Sequence, residues 1–322
     1  MEIPVEVMRI AEEIKTMKLR GAGKIARAAA KALMISALEY NGPNDVNSFI
    51  TYMNRIKKIL LNTRPTAVSL PNAVLYVTRD LGRIPGSFED AKRTVVERAR
   101  EFIKYSLEAK KKIGVIGAKR ILDGETILTH CNSSVAIEIL KTAFLEGKKI
   151  RVYATETRPL FQGHLTAKQL LEIGIPVTLI PDAAVRLVMK NVDKVIVGAD
   201  TVAANGAVVN KIGTSQIALS AHEARVRVFV AAETFKFSPA TVIGELVVIE
   251  ERSPIEVVGE DFLKNYPSID VGNPSFDVTP PEYIDAIITE RGLIPPQASI
   301  LILREVFGWT IEDYIVEKLS EV

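Results

Sequence analysis

The sequence predicts an α/β protein in which an N-terminal all-α domain precedes a Rossmann-like domain with a mainly parallel sheet. Before about residue 120, apolar residues recur at helical spacing, whereas after it short β-branched runs alternate with helical stretches. At 322 residues the chain is also ample for two domains, each with its own core. We therefore expect a helical domain over 1–120 and a Rossmann-like domain over 121–322.

Three stretches of the first half carry the helical pattern. Apolar residues recur every three or four positions over 7–14, 25–37 and 95–107. The third stretch belongs to a helix predicted over 88–113. Ser87 is typical of an N-cap for this helix, and acidic residues occupy its first turn.

The second half contains six predicted strands, most of them followed by a helix. This order is typical of a doubly wound parallel sheet, in which ligands bind at the carboxyl ends of the strands. The predicted strands cover 126–130, 150–154, 177–180, 194–198, 226–231 and 246–249. The predicted helices cover 133–146, 166–171, 183–189 and 215–223.

Charge and composition argue against several classes of protein. Lys and Arg number 41 against 39 Asp and Glu, so the chain has no global field that would attract nucleic acid or a membrane surface. No apolar run reaches the roughly 18 residues of a membrane span, and the N-terminus is acidic where a signal peptide is basic. Since Cys131 is the only cysteine, no intrachain disulfide can form. We expect a soluble, cytoplasmic protein with no nucleic-acid or membrane partner.

Cys131 is the first candidate for chemistry. It follows the predicted strand 126–130 and precedes a helix, so its sulfur is expected at a strand end facing a helix N-terminus. Partial positive charge there lowers the pKa of a thiol from its ordinary value of about 8.5 and favours the thiolate. The alternative is a small buried hydrophobic residue. The polar residues that follow, Asn132, Ser133 and Ser134, favour a functional role.

Asp200 follows the predicted strand 194–198 and is expected at the same rim of the sheet. There it is either an acid–base partner of Cys131 or a turn residue before Asn205-Gly206. A general acid must hold its proton near neutral pH. His130 is not expected to pair with Cys131, because neighbours on a strand point to opposite faces.

Other polar residues lie beside loops or helix starts, where unpaired backbone N–H groups bind phosphate. In Arg20-Gly21-Ala22-Gly23 the glycines allow a ligand to approach a helix start, although an exposed helix start is the alternative. The further candidates are Arg64, Arg158, Gln162, Asn210 and Lys211. For Arg158 the alternative is a structural ion pair.

No cofactor or metal is expected. His164 and His222 stand apart without the spacing of metal ligands. The glycine fingerprint of dinucleotide-binding folds is missing, which argues against a nicotinamide dehydrogenase.

Seven segments, in order along nearly the whole chain, resemble one family. It joins methylthioribose-1-phosphate isomerases, archaeal ribose-1,5-bisphosphate isomerases and the regulatory subunits of a eukaryotic translation-initiation nucleotide exchange factor. The segments are Arg20-Gly21-Ala22-Gly23, Arg64-Pro65-Thr66-Ala67, Thr129-His130-Cys131-Asn132, Glu156-Thr157-Arg158-Pro159 with Gln162-Gly163, Val197-Gly198-Ala199-Asp200, Asn210-Lys211-Ile212-Gly213-Thr214, and Asn273-Pro274 with Phe276-Asp277-Val278-Thr279-Pro280. The resemblance implies a helical domain, a Rossmann-like domain and aldose–ketose isomerisation by Cys131 and Asp200.

The resemblance also assigns substrate-binding positions. Those matched in the isomerases are Arg20, Gly21, Ala22, Arg64, Gln162, Asn210 and Lys211, with Arg158 in the same segment as Gln162. The exchange-factor subunits generally lack the Cys–Asp pair, so its presence here favours an enzyme. Ser133 and Ser134 offer hydroxyls and N–H groups to a second phosphate, which favours the bisphosphate isomerases. Lys236 is either a further phosphate ligand or a mark of the exchange-factor branch.

The implied reaction converts ribose 1,5-bisphosphate to ribulose 1,5-bisphosphate. Asp200 would protonate the ring oxygen, and Cys131 would remove the C2 proton to give an enol phosphate. Hydride transfer from C2 to C1 is a rival route. The rival functions are methylthioribose-1-phosphate isomerase and a non-catalytic regulatory subunit. The resemblance further implies a homodimer or a hexamer built as a trimer of dimers, and an AMP-linked nucleotide-salvage context with AMP as a candidate activator.

Overall fold

The protein is described from a computed structural model that covers residues 1–19, 21–64, 68–83 and 87–307. The chain divides into two compact units, Met1–Ala109 and Lys110–Val322. No helix in the described ranges is long and apolar enough to cross a membrane.

The first unit is built from helices, and its described residues contain no strand. The helices are α1 Val5–Lys15, α2 Ala22–Leu38, α3 Val46–Leu61, α4 Ser69–Thr78 and α5 Phe88–Ala118, the last of which continues past the end of the unit. The buried stripe of α1 is the one predicted from its spacing, and it consists of Val7, Ile10, Ala11 and Ile14.

Two helices of this unit begin at side-chain caps. The Asp45 carboxylate accepts the Ser48 N–H at 2.9 Å before α3. Before α5, the Ser87 N–H donates to the Asp90 carboxylate at 2.9 Å, and the Asp90 N–H donates to Ser87 Oγ at 3.4 Å. This reciprocal pair satisfies two donors that a helix start leaves unpaired, which confirms Ser87 as an N-cap.

The second unit contains a seven-stranded sheet and a three-stranded sheet. The strands are β1 Thr126–Thr129, β2 Arg151–Thr155, β3 Val177–Ile180, β4 Lys194–Gly198, β5 Thr201–Val202, β6 Val208–Lys211, β7 Arg227–Ala231, β8 Phe276–Thr279, β9 Ala286–Thr289 and β10 Gly292–Ile294. The helices are α6 Ser134–Leu145, α7 Gln162–Ile173, α8 Val185–Val188, α9 Thr214–Glu223, α10 Ile255–Val258, α11 Glu260–Asn265 and α12 Ser299–Phe307.

The large sheet has the order β10-β9-β7-β4-β1-β2-β3, and only β10 runs antiparallel to its neighbour. The mixed α/β class with a mainly parallel sheet is therefore confirmed. From β1 the chain adds β2 and β3 on one side and then returns to add β4 on the other. The order reverses between β1 and β4, the place where doubly wound sheets bind ligands.

The core lies on both faces of this sheet, as the two-residue period of a strand requires. In β4, Val195 and Val197 pack with Ile217 and Ala221 of α9, whereas Ile196 packs on the opposite face with Ile139 of α6. The parallel strands are thus covered by helices on both faces, which explains their continuous apolar sequences.

The small sheet, β5-β6-β8, is antiparallel and was not predicted. Asn210 and Lys211, expected beside a loop or helix start, lie in β6. The predicted strand at 246–249 is wrong, because these residues form no strand and Leu246 and Val248 are 91% and 68% exposed. The place beside β7 in the large sheet is taken by β9.

Candidate active site

Cys131 and Asp200 follow the carboxyl ends of β1 and β4, which are neighbouring parallel strands paired through Leu128 and Val195. Both residues therefore lie at one rim of the sheet, where the strand order reverses. The charges of Asp200 and Lys211 both act on the Cys131 thiol. The structure thus brings together three candidates that are far apart in sequence.

The backbone of Cys131 has a left-handed conformation, with φ of 63°, which is uncommon for a residue with a side chain. Two threonine hydroxyls anchor it. The Cys131 N–H donates to Thr157 Oγ1 at 2.9 Å, and Thr166 Oγ1 donates to the Cys131 carbonyl at 2.6 Å. Thr157 is also left-handed, and its N–H donates to Asp182 Oδ1 at 2.9 Å. The thiol is therefore presented by a backbone that is fixed from the segment after β2 and from α7.

The expected lowering of the thiol pKa is wrong. Burial raises the pKa of Cys131 to about 11, and the nearby carboxylates of Asp200 and Asp182 add to the rise. Lys211 acts in the opposite sense and favours the thiolate. Desolvation penalises the charged form more than one cation and a helix start favour it.

The hydrogen-bond partners of the His130 ring do not include the Cys131 thiol, in agreement with the expectation that the two side chains do not pair. Its Nδ1 lies 2.6 Å from Thr155 Oγ1, and its Nε2 lies 2.9 Å from the Ile212 carbonyl oxygen. The side chain is buried, and burial lowers the pKa of His130 to about 4. The ring is therefore neutral at physiological pH.

Asp200 occupies the short connection between β4 and β5, and its N–H donates to the Val209 carbonyl at 2.9 Å. The preceding carbonyl, that of Ala199, accepts from Lys236 Nζ at 2.8 Å. Lys236 is 6% exposed and forms an ion pair with Glu233 at 2.9 Å. The Lys236 ammonium group is therefore held between the Glu233 carboxylate and the backbone carbonyl that precedes Asp200. This buried ion pair supports the short connection in which Asp200 lies.

The small sheet contributes Asn210 and Lys211. Asn210 is buried, and its Nδ2 donates to Thr214 Oγ1 at 3.0 Å. Lys211 Nζ lies 5.0 Å from the centre of the Phe276 ring. Phe276 is the direct partner of Lys211 in the β6–β8 ladder, so the antiparallel pairing sets where the lysine chain runs.

Asp277 was present in a matched segment but received no role from the sequence. Its Oδ2 accepts the N–H groups of Gly213 at 2.7 Å and Ser215 at 3.1 Å, at the start of α9. Burial nevertheless raises the pKa of Asp277 to about 6. An aspartate that caps a helix from a strand about 60 residues away leaves no local sequence signal.

Ser133 and Ser134 lie at the start of α6. Ser133 is its N-cap, with Oγ accepting the Ala136 N–H at 3.3 Å, and Ser134 is the first helical residue and is exposed. A β-carbon at Gly198 would overlap the Ser133 side chain. The absence of a side chain at Gly198 therefore allows the start of α6 to approach the end of β4.

Arg158 and Gln162 lie after β2. The Arg158 guanidinium donates to the Val257 carbonyl at 3.2 Å and lies 5.0 Å from the Phe161 ring centre. Gln162 begins α7, and its Oε1 is buried without a hydrogen-bond partner in the part of the chain that the structure describes. A buried amide oxygen without a partner is suited to accept from a ligand hydroxyl.

The remaining candidates belong to the first unit. Gly21, with φ of 95°, and Ala22 lie at the start of α2, and Arg64 follows α3. Arg20 lies outside the described residues.

Comparisons with known proteins agree on one family. A model of the initiation factor 2 subunit family matches residues 18–296. The chain is 54% identical to a ribose 1,5-bisphosphate isomerase of Thermococcus kodakarensis over 97% of this chain and 98% of the relative. It is 57% identical to a ribose 1,5-bisphosphate isomerase of Methanocaldococcus jannaschii over 92% and 94%. The crystal structure of 5-methylthioribose 1-phosphate isomerase from Pyrococcus horikoshii has a TM-score of 0.76 and 34% identity, and the match covers 93% of this chain and 88% of that one.

Proposed function

The chain belongs to the initiation factor 2 subunit family, and we propose that within it the chain is a ribose 1,5-bisphosphate isomerase that produces ribulose 1,5-bisphosphate. The observation that carries this proposal is the identity of more than half to relatives with that name, over nearly the full length of both chains. The presence of both a thiol and a carboxyl group at the rim between β1 and β4 supports it. The protein is a sugar-phosphate isomerase.

The first chemical step opens the sugar ring. Because the anomeric oxygen carries phosphate, the C1 to ring-oxygen bond breaks only if the ring oxygen receives a proton. We assign this proton to the Asp200 carboxyl group, which becomes a carboxylate. C1 is left electron-deficient, and this makes the hydrogen on C2 more acidic.

The second step moves protons between C2 and C1. The Cys131 thiolate takes the C2 proton, and the C2–H electron pair forms the C1–C2 double bond of an enol phosphate. The Asp200 carboxylate then accepts the proton of the C2 hydroxyl while C1 receives a proton from the Cys131 thiol. The product is a C2 ketone, both groups return to their starting state, and no external oxidant or reductant is consumed.

The thiolate is a minor form at neutral pH, because burial raises the pKa of Cys131 to about 11. Lys211 favours the thiolate, and the electron-deficient C1 does the same once the ring is open. Ring opening therefore precedes removal of the C2 proton in the proposed order.

We further propose how the substrate is bound. Gln162, Asn210 and Lys211 contact the sugar, Ser133 and Ser134 contact one phosphate, and Arg158 adds positive charge. Lys236, buried against Glu233 and the Ala199 carbonyl, acts by supporting the backbone before Asp200 and not as a phosphate ligand. Arg20, Gly21, Ala22 and Arg64 are assigned to substrate binding by family resemblance.

Other parts of the proposal concern the whole molecule. The helical N-terminal part is a separate domain, and the remainder is a Rossmann-like catalytic domain. The protein is a cytoplasmic homo-oligomer, either a dimer or a trimer of dimers. It acts in AMP-linked nucleotide salvage, with AMP as an activator.

Turnover of two substrates tests the function. Ribose 1,5-bisphosphate and methylthioribose 1-phosphate are compared with the wild type, Cys131→Ser and the exposed control His222→Asn. Selective conversion of the bisphosphate, abolished by Cys131→Ser and kept by His222→Asn, is the expected result. Preference for the methylthio sugar would show that the proposed substrate is wrong and that the protein is a methylthioribose-1-phosphate isomerase. Absence of turnover with both sugars would favour a regulatory subunit.

Deuterated solvent tests the proton-transfer route. Removal of the C2 proton by a thiolate allows exchange, so deuterium should appear at C1 of ribulose 1,5-bisphosphate. Full retention of the substrate hydrogen in the product would favour hydride transfer.

A further inference from the structure

His130 is a fully buried titratable group beside Cys131 that has no part in the proposed proton transfers. It is held by two different elements. Thr155, the last residue of β2, contacts Nδ1, and Ile212, in the turn after β6, contacts Nε2. One imidazole therefore joins the parallel sheet to the turn that leaves the small sheet.

The contacts fix the tautomer. A backbone carbonyl only accepts hydrogen bonds, so Nε2 must carry the proton and donate to Ile212. Nδ1 is then the acceptor and receives the Thr155 hydroxyl proton. Both nitrogens of the neutral ring are used, which accounts for how a buried histidine is satisfied.

The turn that His130 contacts directly follows Lys211, the last residue of β6. The Ile212 N–H donates to the Ser275 carbonyl at 3.1 Å, so β8 holds this turn from one side. On the other side the imidazole packs against Gly213, where a β-carbon would lie 3.3 Å from the ring. The direction of Lys211 thus depends on contacts from β8 and from His130.

Lys211 is the cation that favours the thiolate of Cys131. Cys131 follows His130 directly in the chain. His130 therefore connects the end of β1, beside the thiol, to the turn that follows Lys211. A shift of this turn by one or two ångströms would change the charge felt by the sulfur.

We propose that His130 is a positioning residue that ties the turn directly after Lys211 to the end of β1 and so keeps the Lys211 ammonium group near the Cys131 thiol. The catalytic meaning of this tie rests on the proposed isomerase function, whereas the tie itself can be tested without substrate.

A matched pair of substitutions separates the tie from core packing. His130→Gln places an amide N–H near the position of Nε2 and can still donate to Ile212. His130→Asn is shorter and retains a polar atom only near the position of Nδ1. The exposed His222→Asn is the control for loss of a histidine.

Alkylation of the single cysteine by iodoacetamide at fixed pH reports on the thiolate. We expect His130→Asn to lower the second-order rate constant about tenfold, and His130→Gln and His222→Asn to stay within about threefold of the wild type. The kcat for ribose 1,5-bisphosphate should fall in the same order.

A double-substitution cycle asks whether the effect passes through Lys211. In a Lys211→Met background, His130→Asn should cause no further loss in the alkylation rate, because the charge being positioned is absent. Equal losses in the Asn and Gln variants, or a full tenfold loss on top of Lys211→Met, would overturn the proposal. No loss in His130→Asn would overturn it too.

A second route is available if His130→Asn does not fold, as judged by its circular dichroism. Thr155→Val leaves the imidazole in place and removes the nearer of the two hydroxyls at Nδ1, the other being Thr157 Oγ1 at 3.4 Å. It should therefore lower the alkylation rate about threefold in the wild-type background and leave it unchanged in Lys211→Met. Failure of the isomerase proposal can be distinguished from failure of the His130 proposal. If the wild type does not isomerise the sugar but the variants show this alkylation pattern, the proposed activity is refuted and the positioning role of His130 is retained.

Discussion

The large and the small sheet of the second unit contribute different kinds of residue to the candidate site. At the rim of the large sheet, Cys131 and Asp200 follow the last ladder residues of β1 and β4. In the small sheet, Asn210 and Lys211 lie within β6 and are paired to Asp277 and Phe276. The two proposed proton-transfer groups thus lie where the chain leaves a sheet, whereas these two proposed ligand-binding groups lie where a ladder fixes them.

The largest effect that this comparison predicts is on turnover. Asp200→Asn removes the proposed acid and should lower kcat about 1000-fold, since a positioned acid or base contributes about 100- to 10,000-fold. Asn210→Ala removes a binding group and should raise KM about tenfold with kcat within about threefold of the wild type. Steady-state kinetics with ribose 1,5-bisphosphate provides both numbers.

Circular dichroism of both variants controls for folding. If Asn210→Ala lowered kcat as strongly as Asp200→Asn, there would be no division of roles between proton-transfer residues at the rim of the large sheet and binding residues in the small sheet.

The two sheets also differ in how far the sequence predicts them. Strand 194–198 is predicted with its observed bounds, because all five residues of β4 are buried and four of them are apolar or glycine. β5 has two residues and β6 ends in Asn210 and Lys211, so neither has the pattern of a strand. The partner of β6 is β8, more than 60 residues away, and such pairing has no local signal.

The candidate site follows the same division. The sequence predicts Cys131 and Asp200 at one rim of the sheet, because both residues follow strands that are recognisable from their apolar sequences. It gave the wrong direction for the thiol pKa, since burial depends on what packs around the sulfur and not on its neighbours in sequence. Asp277 and the support from Lys236 were missed for the same reason, because both depend on contacts between distant segments.

Buried titratable groups of the two regions should affect stability in opposite directions as pH falls. The pKa of His130 is about 4 in the fold and about 6.5 unfolded, so the unfolded chain binds the extra proton and acid destabilises. The pKa of Asp277 is about 6 in the fold and 3.8 unfolded, so the folded chain binds the extra proton and acid stabilises. Each effect amounts to about 2 kcal/mol between pH 6.5 and 4.5.

Urea unfolding at these two pH values separates the opposing contributions. Relative to the wild type, Asp277→Asn should lose about 2 kcal/mol of unfolding free energy on going from pH 6.5 to 4.5, and His130→Gln should gain a similar amount. Changes of the same sign in both variants would contradict the two assignments.

The thiol should become reactive only at high pH. Because burial raises the pKa of Cys131 to about 11, the thiolate fraction should grow about tenfold per pH unit across the neutral and mildly alkaline range. The iodoacetamide rate constant of the wild type, measured from pH 7 to 9.5, should rise with this slope and without a plateau. A plateau near pH 8 would mean that the helix start and Lys211 outweigh burial.

The smallest effect concerns how helices begin beside the two sheets. The start of α6 is capped by Ser133 from within its own sequence, whereas the start of α9 is capped by Asp277 from β8. Ser133→Ala should therefore lower the free energy of unfolding by about 1 kcal/mol, and the neighbouring exposed Ser134→Ala should change it by less than about 0.5 kcal/mol.

Steady-state kinetics of the same two serine variants tests whether their hydroxyls contact the substrate. If both hydroxyls contact a phosphate of the substrate, both variants should raise KM for ribose 1,5-bisphosphate, although only Ser133→Ala loses stability. A rise in KM confined to Ser133→Ala would mean that the cap, by shaping the start of α6, acts on the substrate only through the helix. Equal KM values in the wild type and both variants would remove the serines from the site and leave α6 with its backbone N–H groups alone as phosphate donors.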